Sequence, residues 1–564
     1  AARAGERRLP DRSVLLPFDG GFRSVYTHVY PLLKSFGYHA VVSPVTSWIE
    51  TGQVIPYNRE QLDASDFLTW DQLKEMAESG LVEVASHSHD LHKGVVANPQ
   101  GNELPAATSH GYSNGRYEST PEYEARLGAD LEASAKAIQT NVGIRPRVIT
   151  WPYGAWNESG RRLAAELGMS LSLTLDTMGP VGERGIIGRE MPVSNPGEQR
   201  FADMFSSYRT DPPLRVAQVD LDYVYDPDPS RQEANLSLLL DRVKAMGINT
   251  VFLQAFADPD GNGAAEATYF PNRHLPMRAD LFNRAAWQLR TRSNVNVYAW
   301  MPVMAFNTEE IPPDWRVLEL PERRPDSNAE PRLSIFVPEA RQLIIEVYED
   351  LARHADFAGI HFHDDGRLNE FEDANPAAIH AYEAAIGRCV DAHALTGDAL
   401  AGDWARFKSA ALIRFTQDLA ARTAAWHPEL KTSRNLFATS LLLDSSETFL
   451  AQSFPQFLAN YDHVTLMAMP RFEGHRKEKK FYRSLIDAVA AEPEGLANTT
   501  FQLQAMDWTR QRWISGRSLY RTMKYLKARG VVNLAYYPDD FIQGRPSLKH
   551  LSRGLSVREQ IGGG

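Results

Sequence analysis

The sequence has a single cysteine, no long hydrophobic run and no excess of positive charge. Cys389 cannot form an internal disulfide, so a metal site has to be built from histidine and carboxylate side chains. No run approaches the ~18 apolar residues that cross a bilayer, and the opening AARAGERRLPDR lacks the hydrophobic core of a signal peptide. Since the chain starts without methionine, we expect a processed or truncated protein, for which export stays open.

Acidic residues outnumber basic residues, 71 to 60, and the net charge is −11. This balance argues against a nucleic acid as the main partner and suits a neutral or cationic ligand. The 564 residues are 43% hydrophobic and 23% charged, which is typical of a compactly folded chain with room for two cores.

Short apolar runs alternate with helical patterns over the first part of the chain, which predicts an α/β domain. The predicted strands are 14–18, 40–45, 81–85, 147–151 and 170–175, and the predicted helices are 69–79 and 121–142. The periodic pattern stops at SSYRTDPPL, where paired prolines mark a domain boundary. The sequence therefore predicts one domain at 1–206 and a second at 214–552.

Eight apolar runs recur in the second domain, each with a polar or aromatic tip and usually followed by a helix. They begin near residues 216, 250, 295, 358, 430, 463, 499 and 531. Eight strand-helix units with functional side chains at the strand C-termini predict a (β/α)8 TIM-like barrel.

Three patterns in the first domain place polar side chains where a strand meets a loop. VLLPFDGGF supplies Asp19, VEVASHSHDLH supplies His87 and His92, and RVITWPYG supplies Arg147 and Tyr153. Histidines clustered after a strand can offer neutral imidazoles to a divalent cation. Each pattern also has a plain structural interpretation, as a polar loop, a DGG turn or surface charge; only their combination favours metal-dependent chemistry.

These motifs resemble those of carbohydrate esterase family 4, the polysaccharide deacetylases, so the first domain is expected to be a deacetylase-type (β/α) barrel. The resemblance implies that Asp19 is the general base, that His87 and His92 bind a divalent metal, and that Arg147 orients Asp19. It also implies that the backbone N–H of Tyr153 stabilises the oxyanion. Zinc is the first expectation for the metal, with nickel, cobalt or iron as alternatives.

With the barrel behind it, the chain further resembles the poly-β-1,6-N-acetylglucosamine N-deacetylases of biofilm export. That resemblance implies a hydrolase with this polymer as substrate, an outer-membrane exporter as a partner, and a periplasmic or outer-membrane-associated location.

Two departures from the family pattern predict weak or absent deacetylase turnover. Gly20 stands where the family has an aspartate ligand, and Pro17 stands for its threonine. Losing an anionic ligand lowers metal affinity, although Asp90 or His89 could substitute. The strand that carries the family's proton-donating histidine is also expected to be missing. Gly20→Asp, together with the upstream segment, is expected to restore activity.

In the second domain, AGIHFHDDGRL places Asp364 and Asp365 at the end of the fourth predicted strand. Glycoside hydrolysis needs a carboxylic acid, so one of the two is expected to be catalytic; neighbours on a strand face opposite sides, and spacing does not choose between them. A DDG turn is the plain alternative. The 2-acetamido group of the substrate could itself be the nucleophile. Five acidic or aromatic residues at other strand ends are expected to bind the sugar: Asp222, Trp300, Trp508, Tyr536 and Asp540.

Two alternatives stay open at the level of sequence. The chain could be a binding protein without chemistry that guides the polymer to an exporter, which Gly20 favours. It could also be an intracellular barrel hydrolase for an unrelated sugar with a decayed accessory domain.

Overall fold

A computed structural model describes residues 13–52, 54–57, 60–175, 185–192, 195–206, 212–325, 330–397 and 399–557. The chain divides into two compact units, Ala1–Thr210 and Asp211–Gly564. Most of the predicted boundary segment, 207–211, lies outside the described residues, as does the start of the N-terminal arm at 1–12.

The first unit is built on six parallel strands in two hydrogen-bonded sets of three. The strands are Pro17–Gly20, Ala40–Pro44, Val82–Val84, Val148–Thr150, Leu171–Thr174 and Ile186–Gly188. Each set pairs in chain order, and a parallel bridge from Ser86 to Ile149 joins the third strand's extension to the fourth strand. The first strand overlaps the predicted 14–18 but is shifted towards the C-terminus, and the next four lie within their predicted ranges. The sixth was not predicted, because its apolar run, Ile186 and Ile187, is only two residues long.

Six α-helices of the described residues accompany these strands, of which the third and fourth confirm the predicted helices 69–79 and 121–142. They are Tyr30–Phe36, Thr46–Glu50, Trp70–Glu78, Thr120–Val142, Glu158–Glu166 and Glu198–Ser206. The longest begins at a capping box between Ser119 and Glu122, and it ends at Gly143 with φ 88°. Three antiparallel pairs occupy the loops: Ile55–Tyr57 with Glu60–Leu62, Gly94–Val96 with Glu103–Pro105, and Tyr112–Ser113 with Arg116–Tyr117.

The second unit is a closed barrel of eight parallel strands, as the sequence predicts. In order around the barrel they are Arg215–Val219, Thr250–Gln254, Asn296–Met301, Gly359–Phe362, Lys431–Phe437, His463–Ala468, Thr499–Gln504 and Asn533–Tyr537. We number them first to eighth. The fourth strand needs its opening glycine, because a Cβ on Gly359 would lie 2.6 Å from the Tyr298 ring and 2.7 Å from the Lys431 carbonyl oxygen.

Helices follow the barrel strands, and most bury their apolar faces against them; Pro376–Ile386 instead packs in a separate apolar cluster with Leu395 and Trp404. The main ones are Pro229–Met246, Phe282–Gln288, Pro338–His354, Pro376–Ile386, Ala401–Ala424, Phe454–Asn460, Glu478–Ala490, Gly516–Lys527 and Leu548–Leu555. Four shorter ones are Thr439–Leu442, Ser446–Leu450, Gly495–Asn498 and the turn Leu221–Tyr223. Of the helices in the described ranges, none combines the length and apolarity that crossing a membrane would take.

Candidate functional site

Asp19 lies in the strand Pro17–Gly20 of the first unit, and its carboxylate is bound by an arginine that the sequence did not indicate. Arg189 Nη1 donates to both carboxylate oxygens of Asp19, at 2.9 and 3.0 Å, from just beyond the sixth strand. Arg147 instead lies at the start of its strand, the opposite end from the site, and its guanidinium pairs with Glu83 at 2.6 Å. The predicted role of Arg147 in orienting Asp19 is therefore wrong, and Arg189 occupies that position.

The two predicted histidine ligands do lie together. The ring centroids of His87 and His92 are 5.2 Å apart, and His87 Nδ1 hydrogen-bonds the Thr150 carbonyl oxygen at 2.7 Å. Burial lowers the pKa of His87 to about 4, although the charge of Asp19 opposes this shift. Burial lowers the pKa of His92 as well, again against Asp19. Both imidazoles are thus neutral at physiological pH, the state that a metal ligand requires.

Tyr153 borders the same site. It sits in the turn Pro152–Gly154 with a left-handed φ of 59°, and its ring centroid lies 4.4 Å from that of His92. The ring is half exposed. This backbone conformation, uncommon for a non-glycine residue, fixes the turn beside the histidines.

The donor set of this site does not complete a metal centre. Among the described residues, no three His, Cys, Asp or Glu side chains are grouped so that they could hold a metal ion. A tetrahedral zinc site takes at least three protein ligands. The expected substitutes are engaged elsewhere: Asp90 pairs with Lys93 at the surface, and His89 Nδ1 lies 2.9 Å from Thr46 Oγ1. We therefore assign no catalytic step to a metal in this chain.

Gly20 has a backbone conformation that favours glycine and in which an aspartate would be strained. Its φ is +83°, and a Cβ there would lie 2.7 Å from the Phe22 ring. That ring packs against Tyr57 and Phe67, each at a centroid distance of 5.6 Å, so it cannot yield easily. Gly20→Asp by itself is consequently strained, contrary to the expectation that it would simply restore the site.

We call the end of the barrel at which the strands have their C-termini the barrel mouth. There, Asp364 and Asp365, which follow the fourth barrel strand, lie in different surroundings. Asp365 is 2% exposed, and its carboxylate accepts from the backbone N–H groups of Val303, Met304 and Ala305 at 2.6 to 3.1 Å. Asp364 is 22% exposed and lies 2.7 Å from His363 Nε2. Asp365 thus fastens the loop after the third strand, and the structure contradicts its assignment as a catalytic acid. Asp364 keeps the candidacy.

The charge state of Asp364 follows from its neighbour. Burial raises the pKa of Asp364, but the charge of His363 and its hydrogen bond, aided by Arg367, lower it to about 2 overall. Burial opposes protonation of His363, yet Asp364 and Asp365 raise its pKa well above the usual value. The two side chains form an imidazolium-carboxylate pair at neutral pH.

A second carboxyl in the mouth behaves oppositely. Asp220 ends the first strand, and burial, with the nearby charge of Asp222, raises its pKa to about 7 despite a hydrogen bond from Tyr537. Tyr537 Oη donates to Asp220 Oδ1 at 3.1 Å, and Asp364 also acts on the pKa of this tyrosine. At neutral pH a partly protonated carboxyl and an ionised one therefore share the same aromatic neighbour.

Aromatic rings line the mouth beside this pair. Tyr537 lies 5.6 Å from Trp300 and 6.1 Å from Trp508, and Trp300 lies 5.3 Å from His363, measured between ring centroids. The buried Nε1 of Trp300 has no hydrogen-bond partner in the described part of the chain. The structure therefore brings Trp300 and Trp508, both predicted from sequence, to the acidic pair.

Three other predicted sugar-binding residues are placed differently. The Oδ1 atom of Asp222 accepts hydrogen bonds from Arg278 Nη1 at 2.6 Å and from Tyr269 Oη at 2.5 Å. Tyr536 is fully buried, with its hydroxyl 2.8 Å from Asp539 on the helix side of the strand, and it cannot contact a ligand in the mouth. Asp540 is 6% exposed and accepts from the backbone N–H of Gln543 at 2.9 Å. These three stabilise loops and strand packing, which corrects the sequence assignment.

The sequence contained signals for most of the residues that were missed. Asp220 directly follows the last strand residue in the VDLDY tip, and Tyr537 is the strand neighbour of Tyr536, so strand alternation points these two tyrosines to opposite faces. His363 directly precedes Asp364. Arg189 had no comparable signal, since its short strand was not recognised.

Comparisons with known proteins agree with both units. A family model described as polysaccharide deacetylase matches residues 6–172, and one described as hypothetical glycosyl hydrolase family 13 matches residues 218–537. The poly-beta-1,6-N-acetyl-D-glucosamine N-deacetylase of Escherichia coli K12 is 38% identical over 562 residues, covering 97% of this chain and 83% of that protein. The glycoside hydrolase domain of PgaB (BpsB) from Bordetella bronchiseptica is 44% identical with a TM-score of 0.58, covering 61% of this chain and 99% of that one.

Proposed function

The chain belongs to the family of poly-β-1,6-N-acetyl-D-glucosamine N-deacetylases, and from that membership we propose that it hydrolyses poly-β-1,6-N-acetylglucosamine, chiefly by cleaving glycosidic bonds in its barrel. The observation that carries this proposal is the pair of carboxyls with opposed pKa values in one aromatic mouth. Asp220, with a pKa of about 7, can donate a proton, whereas Asp364, with a pKa of about 2, stays ionised.

Each residue of the mouth has a definite task in this reaction. Asp220 protonates the departing glycosidic oxygen, and Tyr537 holds the Asp220 carboxyl in place through its hydroxyl. Asp364, ionised by His363, stabilises the positive charge that develops at the sugar ring or positions the 2-acetamido nucleophile. Trp508, which is partly exposed, offers a ring face to the sugar, whereas Trp300, which is 4% exposed, packs against Tyr537 and His363 and supports their positions.

The acidic character of the mouth also fits the substrate class. A partly deacetylated glucosamine polymer carries free amines, which are cationic at neutral pH. The negative mouth attracts such a polymer, as does the overall charge of −11.

For the first unit we propose polymer binding with slow or absent release of acetate. Its deacetylase-like site keeps Asp19, His87, His92 and the Tyr153 turn, but Gly20 provides no third ligand. Deacetylases of this family are generally metal-dependent, and zinc is the metal that paired imidazoles favour if one binds here.

We further propose a periplasmic or outer-membrane-associated setting with an outer-membrane exporter as partner. The support for this is the family resemblance alone.

Mass spectrometry of partly deacetylated polymer, after incubation with the protein and added zinc, tests these proposals together. We expect shortened chains with unchanged acetyl content. Chains unaltered in length would refute cleavage by the barrel, and stoichiometric acetate release would refute the impaired first site. Asp364→Asn is the matched negative control, and Asp540→Asn, at a loop residue, is the positive one.

A further inference from the structure

The loop after the sixth barrel strand carries a dense group of basic side chains. We call Arg476, Lys477, Lys479, Lys480 and Arg483 the basic ridge; all five are exposed, and with Glu478 they line a surface depression of about 560 Å³. This local excess of positive charge stands out in a chain whose net charge is −11.

The charges of the basic ridge are not neutralised within the described part of the chain. None of its five side chains forms an ion pair with a described residue, and the one acid among them, Glu478, is paired with Arg471 at 2.9 Å. About half of the other described arginines of the barrel unit have acidic partners, for example Arg242 with Asp539 and Arg332 with Glu372. The basic ridge therefore projects unbalanced positive charge into solvent.

Its placement on the helix Glu478–Ala490 is locally unfavourable. Lys479 and Lys480 lie in the first turn, where the helix dipole already presents positive charge. Lys479 and Arg483 are four positions apart and Lys480 and Arg483 three apart, spacings at which like charges repel. Phe481 and Tyr482 are buried, so the turn is anchored and the charges cannot disperse. An anionic partner would relieve this repulsion.

Exposed apolar side chains accompany the ridge. Phe472, at 49% exposure, precedes it on the same loop, and Leu443, at 52%, follows the short helix Thr439–Leu442, which packs against the ridge helix. Cations beside protruding apolar side chains match the interface of an anionic bilayer, where phosphates meet acyl chains. The cationic polymer proposed for the mouth is disfavoured as an occupant, because its free amines would be repelled by the ridge.

We propose that the basic ridge, with Leu443 and Phe472, is a docking surface for a membrane rich in anionic phospholipid. The bound groups are lipid phosphates presented on a bilayer. This inference does not require the proposed hydrolysis, although the Phe472 ring lies 5.8 Å from that of Trp508 in the mouth, measured between centroids.

Vesicle co-sedimentation of the full chain tests the proposal. Binding is expected to vesicles of phosphatidylglycerol and phosphatidylethanolamine in equal parts, and not to vesicles of phosphatidylcholine. It should weaken steeply between about 0.1 M and about 1 M salt, because the screening length falls from about 10 Å to about 3 Å. Reversing Lys477, Lys479 and Lys480 to Glu should weaken binding by at least about tenfold.

A matched variant has the same change of charge elsewhere on the barrel unit, at the exposed Lys244, Lys524 and Lys549. It should bind within about twofold of the parent protein. Since charge reversal can disturb folding, the Lys→Gln triple variant of the ridge is measured as well, together with the thermal midpoint of every variant.

Three results would overturn the proposal. The first is no preference for anionic vesicles, and the second is an equal loss of binding in the ridge and control variants. The third is saturable binding of inorganic phosphate without vesicle binding, which would indicate a phosphate site instead of a membrane surface.

Discussion

Asp220→Asn tests both the electrostatics and the chemistry of the barrel mouth. Burial raises the pKa of this carboxyl from 3.8 to about 7, so the native state binds its proton more tightly than the unfolded chain does. Stability is therefore unaffected below about pH 4, falls as the pH rises towards 7, and stays lowered above it. Asparagine has no charge to bury and can still accept from Tyr537 Oη, so it removes this penalty.

The magnitude follows from the pKa difference. The native and unfolded pKa values of Asp220 differ by about 3, which corresponds to a free energy of about 4 kcal/mol at ~1.4 kcal/mol per pKa unit. Because Asp220 is partly exposed, we reduce this free energy to about 2 kcal/mol to allow for solvent screening. For a unit of roughly 350 residues, about 2 kcal/mol raises the thermal midpoint by about 3 °C. We thus expect the variant to melt higher at pH 8 and equally at pH 4, with cleavage reduced ~100-fold or more through loss of the general acid.

Scanning calorimetry of the barrel transition at both pH values and polymer cleavage at pH 6 are the assays. Asp222→Asn is the control of opposite sign, since it loses the ion pair with Arg278 and should melt lower. A variant that melts lower at pH 8, or by the same amount at both pH values, would refute the burial argument. Retained cleavage would refute the role of Asp220 as the acid. In the parent protein, kcat/KM should fall as the pH rises through about 7, where Asp220 loses its proton.

Three further predictions concern the other residues of the two sites. Asp364→Asn should abolish cleavage and lower the free energy of unfolding at pH 7 by about 2 kcal/mol, because the charge that pairs with His363 and lowers the pKa of Asp364 to about 2 is lost. Asp365→Asn should also destabilise the barrel by about 2 kcal/mol because three backbone N–H groups lose a charged acceptor; a higher melting temperature for Asp365→Asn would contradict this. Arg189→Ala should weaken polymer binding to the first unit, measured by tryptophan fluorescence, and Arg147→Ala should leave it unchanged; equal effects would contradict the geometry. Elemental analysis after equilibration with zinc should find well below one zinc per chain, and Gly20→Asp alone should not raise this to one; a full equivalent in the parent protein would show that the donor set is complete without Gly20.

Much of the candidate site could be predicted from the sequence because its motifs sit at strand ends. The histidines of VEVASHSHDLH and the aspartates of AGIHFHDDGRL each directly follow an apolar run. Parallel strands bring the residues at their C-termini to one face of the domain. That is why His87, His92, Asp364, Trp300 and Trp508 lie where they were expected. Errors arose where a choice depended on which neighbour faces inward.

The order of apolar runs and helical patterns by itself determined the two-unit α/β organisation and the eight-stranded barrel, since hydrophobic periodicity is a local property of the chain. Only the tertiary structure decided that Arg189 and not Arg147 holds Asp19, because that contact joins residues 170 positions apart. The tertiary structure also decided which carboxyl group of the barrel mouth carries a proton. The pKa values of Asp220 and Asp364 are set by burial and by His363 and Tyr537, whose positions depend on closure of the whole barrel.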